Sequence, residues 1–117
     1  MDVQTGEFNF PSGSGSGPRQ TKMRHAFNER IGQASVALTG FQAQFTDGDH
    51  HFGRLEVGLG HRIVNNSTTG HEVEVFGTFG LRDLSNHWDD NYAGKIQYCL
   101  LTIPERTRPI IGPPINP

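Results

Sequence analysis

The chain has 117 residues and a formal net charge of −2; only 33% of its residues are apolar, while 15 are glycine and 7 are proline. A chain of this length builds one modest core, and its charge lacks the basic stripe that nucleic-acid binding requires. No apolar run approaches 18 residues, so we expect neither a nucleic-acid partner nor a membrane span.

Short stretches in which apolar and polar residues alternate recur along the chain, and this is the period of a β-strand with one buried face. In the stretch that follows Arg54, Leu55, Val57 and Leu59 alternate with glutamate and glycine. In chain order the predicted strands are residues 7–10, 21–27, 34–41, 52–63, 71–79 and 95–103. The last is nearly apolar on both faces at its end, as a central or interface strand would be. No segment has a convincing helical period, so the sequence predicts one all-β domain over residues 1–104.

The segments between these strands are polar or rich in glycine and proline. Ser12–Gly17 alternates serine with glycine and is interpreted as a long surface loop rather than a linker between domains. Two further loops are predicted, from Gln42 to Phe52 and from Gly80 to Gly94. Residues 105–117 follow Pro104 and are rich in proline, which predicts an extended tail that lies against a groove or a neighbouring molecule.

The cysteine count and the amino terminus say little about the compartment. Cys99 is the only cysteine, so no internal disulfide is possible. It lies within a predicted strand and is interpreted as a small buried apolar residue rather than a reactive thiolate. The start of the chain has no basic and apolar segment of the signal-peptide kind. We therefore expect a cytoplasmic protein or one secreted without a signal peptide.

A loop with Asp47, Asp49, His50 and His51 precedes the fourth strand and offers metal ligands. A calcium loop of the EF-hand kind needs further spaced oxygen ligands and a closing glutamate, which are absent. A zinc site needs three or four ligands, and adjacent histidines usually point apart. A metal-dependent enzyme built on Asp47, Asp49, His50 and His87 is one hypothesis, but the default interpretation is a solvated loop. No serine occupies a nucleophile elbow. We expect no catalytic residue, no metal and no cofactor.

Arg54 and the loop around Trp88 form a better constellation for binding. A sugar ring stacks its C–H face on an aromatic side chain, while arginine and other polar groups bond its hydroxyls. The alternatives are a salt bridge at a strand edge for Arg54 and a core anchor for Trp88. The residues alone leave these interpretations open.

Three motifs, Val36–Phe41, Arg54–Val57 and Thr68–Gly70, resemble the H-type lectin domain, the family of the snail agglutinins and of the carboxyl-terminal domain of the discoidins. The resemblance runs from about Lys22 to Ile103, with Phe8–Phe10 similar to the family's opening strand. It implies a six-stranded antiparallel β-sandwich that assembles as a trimer. It also implies sugar sites between subunits with a preference for galactose and N-acetylgalactosamine.

The resemblance also suggests which residues contact the sugar. Arg54 stands where the family has its sugar-anchoring arginine, and Ser14 or Ser16 matches a serine of the amino-terminal loop, although no acid accompanies it. His87 and Trp88 match the family's aromatic and polar pair in reversed order. The expected carbohydrate-binding residues are Ser14, Ser16, Asp49, His50, Arg54, His87, Trp88 and Tyr92. The cysteine that links trimers in the snail proteins has no counterpart here. We expect a homotrimer or a dimer of trimers, and no covalent hexamer.

The sequence therefore predicts a non-enzymatic, multivalent lectin whose partners are glycans of the galactose and N-acetylgalactosamine type. The alternative is a non-catalytic structural or attachment module that uses the same sandwich for assembly. The altered serine-glycine loop and the proline-rich tail favour this alternative.

Overall fold

The computed structural model describes residues 1–14, 17–48, 50–66 and 70–105. Its strands are β1 (Asp2–Gly13), β2 (Arg19–Phe27), β3 (Ile31–Phe45), β4 (Phe52–Asn66), β5 (Gly70–Asp83) and β6 (Tyr92–Pro104). The described ranges contain no helix, and so none that is long and apolar enough to cross a membrane. The all-β prediction is confirmed, and all six predicted strands are present in the predicted order.

The strands form two antiparallel sheets of three strands each. The first sheet has the order β1-β6-β3, and the second has the order β2-β5-β4. β6 is the central strand of the first sheet, as its two apolar faces predicted, and β5 is the central strand of the second. Each of the four strand pairings therefore contains β5 or β6.

One hydrophobic core lies between the two sheets. Alternate residues of β5 contribute Val73, Val75 and Phe79 from the second sheet, and β1 and β6 contribute aromatic and aliphatic residues from the first. The rings of Phe10 and Phe79 meet across the core with centroids 5.2 Å apart. Gly77 of β5 leaves room for the Phe8 ring of β1, because a Cβ atom there would lie 2.5 Å from that ring. The architecture resembles a β-sandwich.

The predicted strand bounds were too short, and the predicted loops were too long. Phe45 and Tyr92 are register partners in the β3–β6 pairing and both face the core, so strand structure extends into both predicted loops. Those loops shrink to residues 46–51 and 84–91. Pro11 does not end β1. The strand continues to Gly13 through an irregular register, which an edge strand tolerates because its outer side makes no ladder hydrogen bonds. The tail from residue 106 onward lies outside the described residues.

Candidate functional site

The outer face of the second sheet is the side turned away from the core. Because side chains alternate along a strand, the residues between the buried positions of β5 point to this side, together with their partners on β2 and β4. They include Lys22, Arg24, Arg54, Glu56, Arg62, Glu72, Glu74, Phe76, Thr78 and Arg82. The face is rich in charge, whereas the opposite side of the same sheet is mainly apolar, with Arg19 and His25 of β2 as exceptions.

Arg54 lies near one end of this face, on the edge strand β4. It stands directly opposite Arg82 of β5. Its Nη2 donates to Oε1 of Glu56 at 3.0 Å, and its side chain is more than half exposed. The salt bridge at the strand edge considered from the sequence is therefore present. A pair this exposed constrains the guanidinium only weakly, so its other N–H groups remain available to a ligand.

Trp88 lies next to Arg82 on the same side of the sheet. The guanidinium carbon of Arg82 is 5.8 Å from the centre of the Trp88 ring, and its Nη1 donates to Oδ1 of Asn86 at 2.6 Å. The ring packs on Gly80, where a Cβ atom would lie 2.9 Å from two ring atoms, so only glycine accommodates it. Trp88 is half-buried against the core residues, and thus acts in part as the core anchor considered above.

Four other predicted site residues are described, namely Ser14, His50, His87 and Tyr92, and they do not all join this group. His87 is exposed beside Trp88, and its backbone N–H donates to Oγ of Ser85 at 3.3 Å. Ser14 is exposed just beyond the end of β1. Ser16 and Asp49 lie outside the described residues.

Tyr92 lies in the core rather than on the surface. Its exposed fraction is 1%, and its hydroxyl donates to the carbonyl of Phe79 at 3.4 Å. The guanidinium of Arg19 covers the ring at 4.4 Å and donates to the backbone carbonyls of Pro11 and Tyr92. This ring has no face for a sugar, so we leave Tyr92 out of the proposed site. Its position follows from its pairing with Phe45, which the sequence alone does not reveal.

His50 belongs to a different group, formed by the loops β3–β4 and β5–β6 and by the last residue of β5. Its Nε2 lies 2.8 Å from Oδ1 of Asp47 and 3.5 Å from Oδ1 of Asp90, and its Nδ1 lies 3.4 Å from Oδ2 of Asp83. Oδ2 of Asp47 also accepts the backbone N–H of Asn91 at 2.8 Å, which ties the two loops together. We call these four side chains (Asp47, His50, Asp83 and Asp90) the histidine–aspartate cluster.

The charges within the histidine–aspartate cluster shift its protonation equilibria. Hydrogen bonds from the hydroxyl and backbone N–H of Ser85 lower the pKa of Asp83 to about 2. Burial, with the neighbouring carboxylate of Asp83, raises the pKa of Asp90. Burial lowers the pKa of His50, but the hydrogen bond with Asp47 and the charges of Asp90 and Asp83 outweigh it, and the net shift is upward. At neutral pH the cluster carries more negative than positive charge.

The donor atoms of the cluster are suited to a divalent cation. One donor atom each from Asp47, His50 and Asp90 lie within 4.8 Å of one another. Of the residues named in the metal hypothesis, the structure brings together Asp47 and His50, whereas Asp49 lies outside the described residues. Asp83 and Asp90 join the group in addition, and His87 is not among its members. The sequence offered no signal for this grouping, because Asp83 and Asp90 are more than 30 positions from His50 along the chain.

No protein-family model matches the chain, and no curated protein or solved structure is significantly similar to it.

Proposed function

We propose that the protein is a non-enzymatic lectin that binds glycans at the outer face of the second sheet, through Arg54, Arg82 and Trp88. The observation that carries this proposal is the register pairing of exposed Arg54 with Arg82, whose guanidinium lies beside the Trp88 ring. Two planar donors beside an aromatic ring fit a sugar, since guanidinium groups bond its hydroxyls and the ring packs against its C–H face.

The sugar class and the assembly come from the resemblance to the H-type lectins. We propose ligands of the galactose and N-acetylgalactosamine type and a trimer in which a neighbouring subunit lies beside β4. Two features of the edge near Arg54 support such a contact. The side chain of Phe52 is 60% exposed. An apolar groove of about 370 Å³ runs beside it, lined by Phe41, Phe45, Phe52, Leu55 and Leu81 among others. Three sites on one assembly raise avidity by about 10²–10⁴ when they engage together.

A glycan array with the wild-type protein and Arg54→Ala tests this function. We expect the wild type to bind galactose-type glycans and Arg54→Ala to lose at least about 90% of that signal, because several charge-assisted hydrogen bonds are removed. Arg30→Ala is the matched control, since Arg30 is a similarly exposed arginine paired with a glutamate, Glu105, at 3.1 Å. Light scattering should give a trimer mass for all three proteins. A wild type that binds no glycan at trimer concentrations would refute the proposal.

A second candidate is the assembly module, which is favoured by the outer side of the first sheet. Val3 and Ile103 are 54% and 43% exposed there, and Leu101 lies between them as the register partner of Val3. Exposed apolar residues on one sheet face are suited to contact with another protein. A blank glycan array together with a stable oligomer mass would favour this candidate over the lectin.

A further inference from the structure

Three cationic side chains surround the carboxylate of Glu74 on the outer face of the second sheet, at the end of β5 away from Trp88. Glu74 is only 1% exposed although it points away from the core. Its Oε1 accepts a hydrogen bond from Nη2 of Arg62 at 3.0 Å. Its Oε2 accepts one from Nε of Arg24 at 3.0 Å and lies 3.6 Å from Nζ of Lys22. We call Lys22, Arg24 and Arg62 the cation group. The hydrogen bond from Arg24 lowers the pKa of Glu74, so the carboxylate stays ionised.

The cation group has donors that its carboxylate partners do not use. The three side chains are 50% to 64% exposed, so their outer N–H groups face solvent while Glu74 fixes their inner ends. Arg24 also pairs with Glu72, between Nη1 and Oε1 at 2.9 Å. Three cations against two carboxylates leave a net positive charge, on a chain whose total is −2. The group is therefore complementary to a single anionic group.

An open groove adjoins the cation group. It has a volume of about 570 Å³ and is lined by Gln20, Thr21, Lys22, Phe76 and Thr78. On the β4 side the register partners of Phe76 and Thr78 are Gly60 and Gly58, which carry no side chain that could cover the strands. Along β5, the outward-facing positions run from Glu74 to Gly80, which are roughly 20 Å apart at the rise of a strand. The Trp88 ring packs on Gly80. The face thus has the cation group at one end, the side chains of Phe76 and Thr78 in the middle, and the Trp88 ring at the other end.

We propose that this face binds an acidic oligosaccharide, with a carboxylate or sulfate group held by Lys22 and Arg62 and sugar rings lying over Phe76 and Thr78 toward Trp88. The inference rests on the proposed function and extends it, because it adds an acidic group to the glycan that Arg54 and Trp88 are proposed to bind. Charge complementarity selects the acidic group, and the groove beside it accepts the neutral part of the same chain.

Two other occupants fit this surface less well. A nucleic acid carries one negative charge per nucleotide and would place phosphates against Glu56 and Glu72, which lie on the same face. An extended peptide pairs most readily with an exposed strand edge, whereas this groove lies on a sheet face. A saccharide with a few acidic groups avoids both problems.

Calorimetric titration of the full chain with one galactose-based tetrasaccharide, in its sulfated and unsulfated forms, tests the inference. We expect the sulfated form to bind about tenfold more tightly, because charge-assisted hydrogen bonds are added. In Lys22→Gln/Arg62→Gln the sulfated form should fall to the affinity of the unsulfated one, whose binding stays unchanged. Glu72→Gln removes a competing carboxylate and should raise the affinity for the sulfated form. That gain keeps the test valid if the double variant folds poorly.

The possible outcomes separate this inference from the proposed function. Equal affinities for both forms overturn the inference and leave the lectin in place. Absence of binding to either form overturns the lectin and, with it, the inference. A DNA oligonucleotide that binds as tightly as the sulfated tetrasaccharide overturns the choice of a saccharide, and it indicates a general polyanion surface. Arg30→Gln removes a positive charge outside the cation group, and as a control it should bind both forms as the wild type does.

Discussion

Glu74 and His50 are each surrounded by side chains of opposite charge, but the two groups differ in what holds them. Glu74 is one anion among three cations, on a strand whose register sets every partner. His50 is one base among three carboxylates, on loops that only a few hydrogen bonds connect. The first group keeps its central charge at neutral pH, whereas the central charge of the second titrates.

This difference shows how location decides what a charge cluster can do. On the sheet the backbone positions the side chains whether or not a ligand is present, so the cations form a preorganised surface. In the loops the imidazole itself links Asp47 of one loop with Asp83 and Asp90 beside the other. Protonation of His50 therefore affects loop stability, while protonation of Glu74 requires acid well below neutral pH.

Of the substitutions considered, removing the charge of Glu74 should lower the stability of the fold most. Glu74→Gln leaves Lys22, Arg24 and Arg62 close together without their central anion, so we expect a clear loss of stability. The midpoint of urea unfolding, followed by circular dichroism, should fall several times further than in Glu105→Gln, which removes an exposed carboxylate paired with Arg30. Equal midpoints in the two variants would show that Glu74 does not hold the cation group.

Replacing His50 should have a smaller effect that depends on pH. The folded-state pKa of His50 lies above its unfolded value of about 6.5. The stabilisation from its protonated form is therefore fully present below that unfolded value and is lost as pH rises through the raised folded value. The melting temperature of His50→Gln should fall furthest below that of the wild type near pH 6, and the gap should narrow by pH 9.

The control for this experiment is the same substitution at the exposed neighbour, His51→Gln. If it reproduces the pH-dependent gap, the effect belongs to the overall charge of the protein and not to the histidine–aspartate cluster. A difference in melting temperature between His50→Gln and the wild type that stays constant from pH 6 to pH 9 would also contradict the raised pKa of His50.

The smallest change in stability is expected at the exposed pair of Arg54 and Glu56, which belongs neither to the cation group nor to the histidine–aspartate cluster. Arg54→Ala should change the free energy of unfolding by less than about 1 kcal/mol, because exposed ion pairs contribute little. Urea unfolding measures this directly. A larger loss would mean that Arg54 is a structural residue, and the loss of glycan binding in the same variant would then need a different explanation.

Alternation along the chain was sufficient to predict the six strands, because a buried face leaves apolar residues at every second position. The alternation of Val73, Val75 and Phe79 on β5 is an example. Strand ends were harder to predict. Gln42 and Gln44 lie on an edge strand and are exposed, so nothing in their composition distinguishes them from loop residues.

The candidate site could be predicted only in part, since its members come together through strand register. Arg54 and Trp88 were identified from residue type, but Arg82 links them only because it is the register partner of Arg54. The same holds for Glu74, whose three cations come from β2 and β4. Their outward positions follow from alternation, whereas the pairing of particular residues requires the three-dimensional structure.

The position of β5 and β6 at the centres of the two sheets has a consequence for how the chain acquires its structure. Both central strands follow β1 to β4 in the sequence, and every strand pairing needs one of them. While the protein is being synthesised, the four strands described within residues 1–66 therefore have no native partner until β5 emerges, and their edges stay open. Only β4 and β5 then pair as a hairpin of neighbouring strands, whereas the other three described pairings join strands far apart in the sequence. Most native pairs therefore close over long sequence separations, which favours slow folding and prolonged exposure of unpaired strands to other molecules.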